Sequence, residues 1–293
     1  MTAEAQSISA PRVASRNLRR LLRQSGGWEG AIGLAVVAAL VLIAVLGPLL
    51  APHDPNAIVS SRVIGPPDAS HPFGSDSLGR DVLSRVLSAL RVSLAVAVGS
   101  VVLALLIGIP VGLAAGYFGG WVDNLLMRPL DLLLAFPALL LAIAFIAIVG
   151  PGTFVALLAI AIIYTPILAR VVRGSVLVVR ERPFVVGARA RGASSVRIML
   201  GHVLPNSLGP AIAQASVLTA FAIQLQAALS FLGLGAQPPT SELGLMLYEG
   251  RDVLTQAPWV EIYPGVALAV SVLGFILLGD GLQERLQPRR RRQ

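Results

Sequence analysis

Six apolar stretches, about Ala31 to Leu50, Val92 to Ala115, Leu125 to Val149, Thr153 to Val172, Leu208 to Leu234 and Ile262 to Leu278, dominate a chain of 293 residues. Each is near the roughly 20 residues that an α-helix needs to cross the hydrocarbon core of a bilayer. Hydrocarbon offers backbone N–H and C=O groups no partner, so such stretches must satisfy them internally. The expected fold class is all-α: a polytopic membrane protein with six transmembrane helices and a cytoplasmic loop of short helices. Composition agrees, with 13% charged residues and a mean hydropathy of +0.78, against about a quarter charged in soluble domains. The layout read from these stretches is a leader over 1–30, a membrane domain over 31–279 and a basic tail over 280–293. Within the domain the long loops are 51–91, 173–207 and 235–261. The first stretch ends in Gly47-Pro48 without a small-x-small site, so it is expected to stay uncleaved.

Charge sets the orientation. The leader carries five Arg against Glu4 and Glu29, a net +3; Ala169 to Asn206 carries seven Arg against Glu181, a net +6; the tail from Asp280 adds +3. On the alternate side, Ala51 to Arg91 balances four Arg against four Asp, and Gly235 to Glu261 is net −3. The positive-inside rule places the first group, and both termini, in the cytoplasm of a cell whose inner membrane holds the chain.

The same composition excludes most chemistry. All 23 basic residues are Arg, which removes the P-loop lysine and Schiff-base catalysis. With no Cys there is no thiolate nucleophile or Cys-zinc site, and the three histidines form no His-x-x-x-His motif. No GxSxG elbow appears. Arginine in blocks between apolar runs is a topology signal, not a nucleic-acid face. The chain is expected to catalyse no bond chemistry.

Four places stand out. Arg180 to Asn206 is too polar to span and is patterned for two short helices: Pro183 suits a first turn, Gly192 a left-handed helix end, Ser194 a cap, and Pro205 a stop before the fifth span. Arg189, Arg191 and Arg197 should point outward, either onto an acidic groove of a partner or onto anionic lipid headgroups. In the external loop, His71, Asp76 and Asp81 recur at intervals of five between the turn residues Gly74 and Gly79. That interval suits neither helix nor strand, and Arg80 and Arg85 can neutralise the aspartates, so a structural loop without metal is expected. Along the fifth span Ser216, Thr219, Ile223, Gln226 and Ser230 share one helix face, which should meet another helix or a polar pathway. Finally, Gly108, Gly112 and Gly116 repeat every four residues and allow close helix approach, within this subunit or to a second one. Pro110 and Pro137 mark kinks. Asp131 is expected to pair locally with Arg128.

These segments carry a family resemblance. Ala188, Gly192, Leu204 and Pro205 fall at the spacing of the cytoplasmic coupling motif of ABC importer permeases, with Val186 in place of its Glu, Gly187 of its first Ala and His202 of its Ile. HPFGSDSLGRDVLSR from His71, DLLLAFPALLLA from Asp131, SFLGLGAQPP from Ser230 and GDGLQERLQPR from Gly279 resemble the C-type permeases of dipeptide, oligopeptide and nickel importers. The resemblance implies an ATPase-coupling segment made of Val186 to Arg189, Arg191 to Ser194, Arg197, His202, Leu204 and Pro205. It also implies a homologous permease as heterodimer partner, an extracytoplasmic binding protein, and two ATPase subunits that hold ATP and Mg while this chain binds no cofactor. Peptides, glutathione or nickel chelates are the implied cargo. Gln226 stands where that family usually has Glu. The rival classes, a non-transporting scaffold or a self-contained channel, lack support: no charged ring or filter loop is present.

Overall fold

A computed structural model describes residues 27–58 and 63–286; most of the leader and the arginine-rich end of the tail lie outside them. Among the described residues ten α-helices follow one another: α1 (Gly27–Leu50), α2 (Val82–Phe118), α3 (Gly120–Leu134), α4 (Ala138–Val149), α5 (Thr153–Val179), α6 (Pro183–Ala190), α7 (Ser195–Ile198), α8 (Leu204–Phe231), α9 (Leu243–Gly250) and α10 (Trp259–Leu286). No strand occurs among the described residues; two isolated bridges, Ile58 to Arg80 and Ser75 to Asp81, tie the loop before α2. Among the described residues five helical segments, with α7 and α8 counted as one, are long and apolar enough to cross a membrane, or six with the bent pair α3 and α4 taken as one span.

Helices outrun their apolar stretches. α2 starts at Val82 because Asp81 caps it, its carboxylate accepting from Ser84 N–H at 2.8 Å, so the loop expected over 51–91 ends at Asp81. α10 likewise carries on through Asp280 to Leu286.

The third crossing departs from expectation. Leu125 to Val149 is not one helix: α3 and α4 meet at 94° across Ala135–Pro137. Pro137 lacks the N–H that would continue the ladder and pushes Phe136 out of the helical region. The pair still carries the chain from end to end. α3 begins beside the last turn of α2, whereas Gly152, just beyond α4, donates its N–H to the Leu234 carbonyl past the far end of α8. Asp131 does not pair with Arg128. It takes Arg170 of α5 at 2.6 Å, and Asp123 takes Arg173 at 2.6 Å, because this face of α3 lies against α5.

α2 and α5 form the most extensive helix pair, with α8 packed on both and α1 held between α2 and α10. The glycine stripe explains the closeness of the first pair. A Cβ on Gly108 would lie 3.1 Å from Ala169 N, one on Gly112 would strike the Ala169 carbonyl, and one on Gly116 would lie 2.9 Å from the Arg173 carbonyl. The stripe therefore serves packing within the subunit.

Candidate functional site

At one end of the bundle α5 runs out at Val179 and the chain turns into α6. Pro183 occupies the first turn of α6, where its missing N–H costs nothing. Val185 and Ala188 face inward and pack with Ile198, Val203, Val172 and Val176. α6 then ends in a Schellman turn: Ala193 N–H reaches the Ala188 carbonyl at 3.2 Å and Gly192 N–H the Arg189 carbonyl at 3.0 Å, with Gly192 at φ 78°. Nothing lies within 4 Å of a Cβ built there, so backbone conformation alone selects glycine.

Beyond the turn Ser194 sits at the N-cap of α7, but its side chain makes no capping bond. Pro205 does not stop the helix as expected. A π-helical turn over Met199–Val203 joins α7 to α8, and the Leu204 N–H bonds five residues back to Met199. Pro205 thereby falls in the first turn of α8, where an N–H is dispensable. α7, the π turn and α8 are one continuous rod.

The outer face of this unit is mixed. Val186, Arg189, Arg191, Gly192, Ser194 and Arg197 are exposed, Gly187, Ala193, His202 and Leu204 are half-buried, and Ala188 is buried. None of the three arginines meets a carboxylate among the described residues. Phe184, Val196 and Leu200 are exposed beside them and were not legible as site residues, although Val196 and Leu200 stand four apart on one helical face. Arg180 faces inward instead and donates to the Gly116 carbonyl at 2.7 Å, closing the end of α2.

The opposite end is polar but closed. Gly74 and Gly79 both take positive φ, at 74° and 75°. The loop they shape aims Asp76 at two arginines: Arg80 Nε donates to it at 2.7 Å and Arg85 at 2.6 Å, and both guanidinium groups also reach Glu249 of α9 at 2.8 Å. Asp76, Arg80 and Arg85 are buried. Close by, Glu242 caps α9 through Gly244 and Leu245 N–H and accepts from Ser93 of α2 at 3.1 Å. Burial pushes its carboxyl upward, against hydrogen bonds from Ser230, Gly244, Leu245 and Ser93 that pull it down. Sequence spacing brought Asp76 and the arginines together; Glu249 and Glu242, more than a hundred residues away, carried no local signal.

The stripe on α8 lies inside the chain in this conformation. Thr219, Ile223, Gln226 and Ser230 are buried and Ser216 is half-buried. The hydroxyls of Ser216 and Thr219 return to carbonyls four residues back, at 3.4 and 2.9 Å, and Ser230 accepts from Ala236 N–H at 3.3 Å. Gln226, 2% exposed, leaves its Oε1 without a partner.

A closed polar end and an end bearing an exposed helix-turn-helix, joined by apolar crossings, match a known architecture. Residues 108–292 match the family described as binding-protein-dependent transport system inner membrane component, and residues 16–67 match the N-terminal membrane domain of oligopeptide transport permease C. The chain belongs to this permease family. The permease is 44% identical over 258 residues to the dipeptide transport system permease DppC of Alkalihalophilus pseudofirmus, covering 88% of this chain and 85% of that one. It is 42% identical over 272 residues to the glutathione transport system permease GsiD of Escherichia coli, covering 92% and 89%. A putative peptide transport permease of Brucella suis shares 41% over 271 residues, covering 92% and 90%. A chain of the MetNI methionine ABC transporter, seen in inward-facing conformations, shares the fold at a TM-score of 0.56 and 20% identity, over 70% of this chain and 97% of its own length. These relatives are transport permeases, not enzymes, and the chain is a multi-pass membrane protein of an ABC importer.

Proposed function

We propose that the permease forms half of the pathway through which an ATP-driven importer moves peptides or similar small solutes, and that α6, Gly192 and α7 form the surface on which an ATPase subunit docks. The observation that carries this reading is the exposed face of Phe184, Val186, Val196 and Leu200 set among unpaired Arg189, Arg191 and Arg197. Exposed apolar side chains rimmed by charge of one sign suit a groove with an apolar floor and acidic walls. The surface is rooted at α5 on one side and runs unbroken into α8 on the other, so a push on it moves two crossings together. ATP closing the partner ATPases would thereby switch the bundle between inward and outward access.

The remaining roles follow. A homologous permease completes the pathway, and an extracytoplasmic binding protein delivers cargo at the α9 end. The net +6 around α6 supports a cytoplasmic location for that end and for both termini. The dipeptide, glutathione and peptide permeases among the relatives support a peptide-like cargo. The unpartnered Oε1 of Gln226 supports a role for Ser216, Thr219, Ile223, Gln226 and Ser230 in lining the path in another conformation, where neutral donors and acceptors suit peptide backbones.

Gly192→Val tests the docking role. Valine at positive φ costs on the order of 1 to 2 kcal/mol and re-aims α7 without altering charge. In the reconstituted complex, uptake should collapse and ATP hydrolysis should uncouple from substrate, while membrane insertion survives. Normal transport with the ATPases still bound would refute it.

A further inference from the structure

Only three histidines occur in this chain, and the fold brings two of them together from 18 positions apart in sequence. His53 lies just past α1, His71 lies in the loop before α2, and their rings stack at 5.1 Å with planes 11° apart. Asp81, fully buried at the cap of α2, joins them: one donor atom from each of the three residues lies within 4.8 Å of the other two. The interval of five read from the sequence therefore does not define the cluster. Asp76 belongs to the arginines, and His53 takes its place beside His71 and Asp81.

Each of the three residues holds back one donor. The Ser70 hydroxyl gives its single hydrogen to Asp68 Oδ1 at 2.7 Å, so toward His71 Nδ1, 3.1 Å away, it acts as acceptor. Nδ1 then carries the ring hydrogen, with Asp68 Oδ1 also 3.4 Å from it, and Nε2 is a bare lone pair. That Nε2 is buried and unpartnered. Asp81 Oδ2 is engaged by Ser84 N–H at 2.8 Å and the Ser84 hydroxyl at 2.7 Å, whereas Oδ1 is buried with no partner. His53 Nδ1 is likewise buried and unpartnered, 3.9 Å from Asp81 Oδ2. Three buried, unpartnered ligand atoms on side chains drawn this close together are costly without a shared cation.

We propose that His53, His71 and Asp81 form a divalent-metal site of the Zn²⁺ class, which clips the exit of α1 to the start of α2. Two imidazole nitrogens and one carboxylate oxygen suit Zn²⁺ and its late first-row neighbours, while Mg²⁺ and Ca²⁺ prefer oxygen alone. Asp68 and Ser70 supply the outer hydrogen bonds that fix the tautomer and orientation of a ligating histidine. Zn–N and Zn–O bonds of about 2.0 to 2.2 Å place tetrahedral donors about 3.4 Å apart, so atoms now within 4.8 Å must draw in by up to about 1.4 Å. His53 has the freedom for this, its side chain being 29% exposed. A cleft of about 430 Å³ lined by Pro52, His53, Ser84 and Ser88 gives the ion an entry route and water for its open position.

The test uses the full chain in detergent micelles, stripped with chelator and titrated with ZnCl₂ by calorimetry. One saturable site is expected, with affinity at least about tenfold lower in His53→Ala and in His71→Ala. His202→Ala, at the opposite end of the molecule, should bind as the wild type does. Asp81 is left intact because it caps α2. Zn²⁺ should raise the melting temperature of the wild type but not of His53→Ala. Absence of a saturable site in the wild type, or undiminished Zn²⁺ binding by the His53→Ala/His71→Ala double variant, would overturn the proposal.

Discussion

At the α9 end Arg80 and Arg85 are buried and each is held by both Asp76 and Glu249, while at the α6 end Arg189, Arg191 and Arg197 stand exposed beside Phe184, Val186, Val196 and Leu200. The same residue type serves two purposes. Where the guanidinium groups are paired with carboxylates of the same chain, they pin a loop and α9 onto α2, and their charge is used inside the subunit. Where they are left open among apolar side chains, the end is half of an interface. The difference teaches where a partner belongs better than total charge does, since arginine is plentiful at both ends.

The comparison is most exposed at Arg85. Arg85→Met would leave buried Asp76 and half-buried Glu249 with one cation fewer and should cost about 3 to 5 kcal/mol, read as a lower melting temperature and a poorer yield of inserted protein. Arg189→Met should shift stability by no more than about 0.5 kcal/mol. Equal losses would erase the distinction between the ends. A smaller effect is expected at Arg197→Gln: stability unchanged, ATPase affinity reduced at low salt, and the deficit shrinking toward 1 M salt, where the screening length is about 3 Å. A salt-independent deficit would mean that shape, not charge, governs that face.

Glu242 should give the smallest change. Its carboxyl is raised above 4.5 in the folded chain, so the fold holds that proton more tightly than the unfolded chain does. The resulting stability is full below pH 4.5 and declines as pH rises through the folded value. Glu242→Gln keeps one of the two oxygens that accept from Gly244 and Leu245 N–H and has no proton to lose. Its melting temperature should therefore fall less than that of the wild type as pH rises; parallel curves would show that Glu242 is ionised throughout.

What the sequence made legible is what depends on local backbone chemistry. Pro183 and Gly192 bracket α6 because a missing N–H and a positive φ each suit one position, whatever surrounds them. The Gly108, Gly112 and Gly116 repeat shows close approach, and α5 proves to be the partner. Pro137 marks a break, but its 94° angle depends on what α3 and α4 pack against. Pro205 misleads because the π turn ahead of it absorbs the missing donor. Asp131 misleads because Arg170, 39 residues on, outcompetes the neighbour three residues back. Glu249 meets Arg80 across 169 residues, a pairing that only the assembled bundle creates.

The glycine stripe has a mechanical consequence. With the α2 backbone at Gly108, Gly112 and Gly116 set directly against the backbone and the Leu168, Val172 and Val176 side chains of α5, the two helices have no α2 side-chain cushion there and behave as a single beam. α2 alone, at 37 residues, is about 55 Å long. One end of that beam is bolted by Arg180 beside α6; the other carries Asp81 and Arg85. A tilt of about 5° pivoting at the Arg180 end would swing Asp81 through about 5 Å over that length. A rotation that moves the α6 end very little therefore becomes, at the α9 end, a stroke as wide as the spacing between two strands.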